Sequence, residues 1–171
     1  HLGDTFDRRK YTNYNTLKLA KEMFFTPIYE RGIELHTLLG NHDCYFKSTN
    51  DVNSMSLTCG EYPIHLYKDT PEVINFDGLD ILMTPWIAPD KHAESLRIIS
   101  RAKADFLMGH LPLQGAEMLT NVYCDDGIER KHFKRFERVF SGHFHKQQDD
   151  GHIRYLGAPY EITWNDYNSK K

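Results

Sequence analysis

Ile33-Glu34-Leu35-His36-Thr37-Leu38-Leu39-Gly40-Asn41-His42-Asp43 begins as a largely apolar run and ends in a glycine, an amide, an imidazole and a carboxylate. A short apolar run bounded by turn residues reads as a buried strand. Open α/β sheets bind their ligands beyond the carboxyl ends of strands, so the polar tail reads as a site. Standing alone, a helix cap or turn that happens to contain His would explain the string as well. Three further segments end in the same way: Leu2-Gly3-Asp4, Phe106-Leu107-Met108-Gly109-His110 and Val139-Phe140-Ser141-Gly142-His143-Phe144-His145. Each is an apolar run, or the stub of one, that closes on Gly and then offers a residue able to bind metal. The repetition makes the case.

Working outward, Thr12 or Asn13 can cap a helix that carries Leu17, Ala20, Phe24 and Ile28 at helical spacing, with Gly32 as its stop. A helix feeding a buried strand predicts a parallel, helix-covered sheet. Residues 47–62 are polar and mixed, with a short helix expected around 52–59. Asp77-Gly78 between Glu72–Phe76 and Leu79–Thr84 is a strong hairpin signal, so the sheet is expected to be mixed. A helix follows from about Lys91 to Ala102, with Leu96 and Ile99 inward, and then a strand from Asp105 to Met108. Leu111–Asp126 reads as loop, and Ile128–Phe136 as a short basic helix, either a solvated face or an edge that meets phosphate. Arg138–Ser141 and Ile153–Leu156 are the last strands expected, and Gly157-Ala158-Pro159-Tyr160 turns sharply.

A chain of 171 residues is long enough to bury roughly two thirds of its unfolded surface in one core. No repeat, low-complexity tract or linker interrupts it, so residues 1–171 are expected to form a single domain. The expectation is also that the chain is a segment of something longer, incomplete at its N-terminus and at its C-terminus. Three cysteines, Cys44, Cys59 and Cys124, are odd in number and lack paired spacing, which favours a reducing interior over a disulfide framework. Cys44 beside the Asn-His-Asp turn is either a thiolate ligand or a small buried thiol. A net charge of −3 gives no overall attraction to a polyanion, so such a substrate must be met by local positive charge or by metal. No run approaches the ~20 apolar residues of a membrane span, and the expected location is cytoplasmic.

Asp4, Asn41, His110, His143 and His145 offer oxygen and nitrogen donors suited to borderline divalent ions such as manganese, iron or zinc. A carboxylate can bridge two such ions, and Asp4 is the acid placed directly after a strand-ending Gly. His143 and His145, one residue apart on an extended segment, project to the same side but far enough apart to serve different ions. Two ions together polarise a phosphoryl group and hold a hydroxide for in-line attack. His42 need not be a ligand: a free imidazole titrates near about 6.5 and can hydrogen-bond a phosphoryl oxygen or protonate a leaving oxygen. Asp43 is placed to orient that ring. His36, His65, His92, His132 and His152 keep the ordinary reading of packed or solvated residues.

Gly-Asp, Gly-Asn-His-Asp, Gly-His and Gly-His-x-His, in that order, resemble the calcineurin-like metallophosphoesterase superfamily, and the resemblance covers most of the chain. Gly3-Asp4-Thr5-Phe6-Asp7-Arg8, Gly142-His143-Phe144-His145 and Gly157-Ala158-Pro159-Tyr160 with Ile162-Thr163-Trp164 are similar to the SbcD-like DNA nuclease branch, especially phage-type recombination endonuclease subunits. The resemblance implies a four-layer α/β sandwich, two mixed β-sheets flanked by helices, and a site for two Mn2+ ions. It implies that Asp4 bridges the ions, that Asn41, His110 and His143 complete one site, and that His145 belongs to the other. His42 becomes the acid that contacts phosphate. The implied partners are DNA, an SbcC-like ATPase with a long coiled coil, and a second nuclease subunit in a homodimer. A strand ending in Asp-x-His opens the family pattern and supplies two further ligands. No such strand opens this chain, so the expectation is one nearly complete site, a second held by Asp4 and His145, and activity in the parent protein. The alternatives are a phosphatase or cyclic-nucleotide phosphodiesterase on the same core, and a non-catalytic DNA-binding or scaffold subunit.

Overall fold

The helix before the central strand shows how side-chain chemistry sets the frame. In the computed structural model, which describes residues 1–167, Asn13 caps α1 (Tyr14–Ala20) by accepting a hydrogen bond from the Asn15 amide at 2.8 Å. The helix continues through a π-helical segment, Lys21–Phe25, into α2 (Thr26–Glu30). It stops at Gly32, whose φ of 64° lets its amide reach the Tyr29 carbonyl while the Ile33 amide reaches Ile28, the paired bonds of a Schellman cap. The wide π turn inserts a residue and rotates everything beyond it. Phe24, expected to face inward, is therefore 38% exposed, and Phe25 is 2% exposed in its place.

Strand β1 (Leu35–Leu38) pairs in parallel with β2 (Ile64–Tyr67), and between them lies α3 (Ser54–Thr58), capped by Asn53. On its other side β1 is joined by the first residues of the chain: the Leu38 amide donates to the His1 carbonyl at 3.0 Å and the His1 amine to the His36 carbonyl at 2.8 Å. That pairing seats Leu2-Gly3-Asp4 beside the end of β1. Leu35 and Leu39 pack on one face with Phe6, Phe25, Met55 and Cys59; Leu38 packs on the other with Tyr67, Ile81 and Met83. Burial on both faces is what a parallel strand requires.

The larger sheet holds six strands. β3 (Glu72–Phe76) and β4 (Leu79–Thr84) form the expected hairpin, with Asp77 at φ 50° and Gly78 at φ 93°, the two left-handed positions of a type I′ turn. After α4 (His92–Arg101) come β5 (Phe106–Gly109), a small separate hairpin of β6 (Glu117–Leu119) and β7 (Val122–Tyr123), then β8 (Arg138–Ser141), β9 (Gln148–Asp149) and β10 (Ile153–Tyr155). The order is β3-β4-β5-β8-β10-β9. β4, β5, β8 and β10 run parallel, with antiparallel β3 and β9 at the edges. Ile99 of α4 is fully buried with Leu82, Leu107, Phe133 and Val139, and Leu96 packs against that cluster.

The α/β class with two main sheets, beside the separate β6–β7 pair, matches the expectation, with three corrections. The smaller sheet, expected to be mixed, is two parallel strands among the described residues. The stretch 111–126 contains the β6–β7 hairpin, whose Leu119, Val122 and Tyr123 are exposed and so gave no burial pattern. The basic helix expected over 128–136 is one 3-10 turn, Arg130–Phe133, because Ile128 is drawn into hydrogen bonds with Pro112 and Gln114. Arg130 and Lys131 there pair with Asp150 and Glu129, which suits the solvated reading.

Candidate metal centre

β5 and β8 are neighbours in register, with Gly109 opposite Ser141, so His110 and His143 leave adjacent strands at nearly the same level. β1 delivers Asn41 and the first residues deliver Asp4. Glycine before each ligand has a steric cause. A Cβ on Gly40 would collide with the Asp4 backbone nitrogen and carboxylate, and one on Gly142 with the Leu2 carbonyl.

His110 Nδ1 lies 2.7 Å from the Leu2 carbonyl oxygen, which only accepts, so Nδ1 carries the proton. Its Nε2 then faces Asn41 Oδ1 at 3.0 Å, Asp4 Oδ2 at 3.3 Å and His143 Nδ1 at 3.2 Å. His143 Nδ1 is also 2.8 Å from Asn41 Oδ1. Four atoms that can each offer a lone pair thus converge on one point, and Asp4, His110 and His143 form a group able to hold a metal ion. Such a set repels itself unless a proton or a cation sits among its members, so the donor chemistry fits a divalent ion.

The electrostatics agree. Burial and then the neighbouring His110 push His143 down to about 3, which keeps it in the neutral, ligating form. Burial alone would lower His110, but the hydrogen bond and charge of Asp4 prevail and raise it. Burial works against the Asp4 carboxylate, and His110 together with the His42 amide outweighs burial and holds it below its ordinary value. Asp4 at φ 54° and His143 at φ 83° both adopt left-handed backbone.

His145 is not in this group. Its Nδ1 lies 3.2 Å from both carboxylate oxygens of Asp166. Asp166 is buried, capping the 3-10 turn Trp164–Asp166 from within and accepting from the Thr163 amide and hydroxyl. Sequence reasoning missed Asp166, though Thr163-x-x-Asp166 has the spacing of a capping box. His42 lies beside the cluster and is held by its ring Nδ1, 2.5 Å from the Asp7 carbonyl.

Asp43, expected to orient the His42 ring, does something else. It is fully buried and accepts from the Gly40 amide at 3.0 Å, the Phe6 amide at 3.2 Å and the Ser54 hydroxyl at 3.3 Å. The tight turn aims its carboxylate inward at free amides, away from its neighbour's ring. Burial pushes its pKa up, only partly offset by the amides. Cys44 is a buried thiol, not a ligand: burial pushes it up to about 12, and its Sγ contacts the Gly40 carbonyl and Asn50 Oδ1.

An open α/β sheet with a carboxylate, an amide and two imidazoles gathered at its strand ends defines a candidate metal-binding protein of the phosphoester-processing kind. The chain belongs to the calcineurin-like phosphoesterase family, whose pattern matches residues 1–147. It is 33% identical over 169 residues to exonuclease subunit 1 of Enterobacteria phage T4, an alignment covering 99% of this chain and 49% of that protein. The chain therefore spans about half the length of the curated relative it matches. The resemblance read from the four strand-end motifs holds.

Proposed function

We propose that the protein is a metal-dependent nuclease subunit that hydrolyses phosphodiester bonds in DNA, and that residues 1–171 form one domain of it. The observation that carries this reading is the convergence of Asp4, Asn41, His110 and His143 on one point. The choice of DNA is supported by the relative's description as an exonuclease subunit.

In this reading Asp4, Asn41, His110 and His143 hold one ion, and Asp4 and His145 contribute to a second. Two Mn2+ ions, when bound there, would supply Lewis acidity toward the phosphoryl oxygens and the attacking water. Asp166 holds His145 by Nδ1 and leaves Nε2 for the ion, the usual arrangement of a carboxylate behind a ligating imidazole. The Asp7 carbonyl fixes the His42 ring through Nδ1–H, so the Nε2 proton is the one available to the leaving oxygen. Asp43 acts as a positioning residue: by gripping the Gly40 and Phe6 amides it sets the turn on which Asn41 and His42 ride. An SbcC-like coiled-coil ATPase and a second nuclease subunit are the proposed partners, and the cytoplasm of a phage-infected cell the proposed setting. No helix among the described residues is long and apolar enough to cross a membrane.

The test supplies the full-length protein with Mn2+ and end-labelled DNA, beside a small aryl phosphate. Cleavage of DNA is expected. Turnover of the aryl ester alone would reassign the site to phosphatase chemistry, and a metal-loaded protein inert toward both would make it a scaffold.

A further inference from the structure

A second group of convergent donors lies away from the strand ends. His36 and His65 are directly opposite each other in the parallel β1–β2 pair, so their side chains share a face. Glu34, two residues before His36, falls on that face by the same alternation. Glu34 Oε1 lies 2.8 Å from His65 Nε2 and 3.3 Å from His36 Nε2, and the two imidazoles stack with centroids 4.4 Å apart and planes 9° apart. The three ligand atoms all lie within 4.8 Å of one another. Tetrahedral zinc with bonds near 2.1 Å sets its donors about 3.4 Å apart, a spacing these side chains reach with small rotations.

The ring of His36 is also held from behind. Its Nδ1 is 2.6 Å from the hydroxyl of buried Tyr67, and the edge of Phe76 packs against it at 4.8 Å. A hydrogen-bond partner on one imidazole nitrogen, which orients the other toward a shared point, is how ligating histidines are fixed. Glu34 and His65 are more than half exposed in their side chains, so solvent can complete the coordination. From His36 to Asn41 the chain runs about 16 Å if extended, which separates this cluster from the one at the strand ends.

We propose that Glu34, His36 and His65 form a second metal site, for a borderline divalent ion of the zinc class. The ion fastens the start of β1 to β2, at the opposite end of β1 from Asn41 and His42. The rival is a bare ion pair, in which one carboxylate oxygen is shared by two imidazole N–H groups and no metal is needed.

The test uses Zn2+ and the full-length protein carrying Asp4→Asn and His143→Ala, which removes the strand-end cluster. After chelation, the protein is dialysed against Zn2+; metal content is counted and the thermal midpoint read. One bound zinc per chain and a raised midpoint are expected. Adding His65→Ala or Glu34→Gln should remove both effects, and Tyr67→Phe should weaken binding at least about tenfold. Zinc content unchanged by His65→Ala, or no zinc in the starting variant, overturns the proposal. If the double variant does not fold, the Mn2+-loaded wild-type protein and its His65→Ala counterpart are compared instead; equal zinc content refutes the site. Because His65→Ala leaves the strand-end residues intact, DNA cleavage in Mn2+ should be unchanged, which separates this outcome from failure of the nuclease reading.

Discussion

The Asp4 carboxylate stands 3.3 Å from Nε2 of His110, although most of the chain lies between the two residues. Without metal, the shared proton raises His110 and lowers Asp4 together. A divalent ion held by these residues would take the place of that proton, so metal binding and protonation would compete for the same atoms.

Replacing His143 with Ala should lower Mn2+ affinity by more than about 100-fold, since even residues behind the ligands are worth 10–100-fold. DNA cleavage should fall with it. In the wild-type protein, affinity should decline on acidification as His110 takes up its proton, whereas His143, pushed down to about 3, stays neutral throughout. Isothermal titration with Mn2+ across pH reads both effects. Wild-type affinity retained in His143→Ala would remove that residue from the centre.

His42→Ala should leave the Mn2+ content nearly intact while cleavage drops by roughly 10²–10⁴, the usual contribution of a general acid. Its ring contacts the Asp7 carbonyl and stands outside the convergent group. Metal analysis beside a single-turnover assay decides the matter; a variant stripped of metal would make His42 a ligand.

Asp43→Ala should act on stability first. Removing a fully buried carboxylate that accepts from Gly40, Phe6 and Ser54 strands buried donors, at about 1–3 kcal/mol for each group left unpaired. Equilibrium denaturation should show the loss even in metal-free protein, where a purely catalytic role predicts none.

Asp150 supplies a pH signature far from the centre. Burial opposes its charge, but the Ile153 and His152 amides and the Arg130 guanidinium prevail and hold it down to about 2. A carboxylate depressed on folding adds stability above its unfolded pKa, near about 4, and loses it as pH falls toward 2. Its side chain is 42% exposed, so solvent screening limits the contribution to roughly 1 kcal/mol. Denaturation at several pH values should show a shallower acid slope in Asp150→Asn than in the wild-type protein.

The parts of the fold legible in the sequence are those set by local chemistry. Asn13, one of the two candidate caps, capped its helix, Gly32 ended it, Asp77-Gly78 turned its hairpin, and three strands ran into a Gly followed by a ligand-type residue. Features that depend on what a residue meets across the fold were not legible. The π segment moved burial from Phe24 to Phe25, and nothing in the residue types marks where a helix will widen. Asp43 pointed to the Gly40 and Phe6 amides because of the turn's geometry, which adjacency to His42 does not reveal. Asp166 needed the Thr163 cap to be read as one unit with His145, across two intervening strands. Glu34, His36 and His65 met only through the β1–β2 register, which no single stretch of sequence encodes.

Two of the converging residues, Asp4 and His143, occupy main-chain conformations that an L-amino acid enters at a cost of about 1–2 kcal/mol each. Glycine would rest there without penalty. The polypeptide would therefore be easier to fold with Gly at both positions, and it would then have lost the carboxylate and one of the imidazoles of the convergent group. Robustness and chemistry pull in opposite directions at those two points, and variants selected for heat resistance alone should surrender the centre there first.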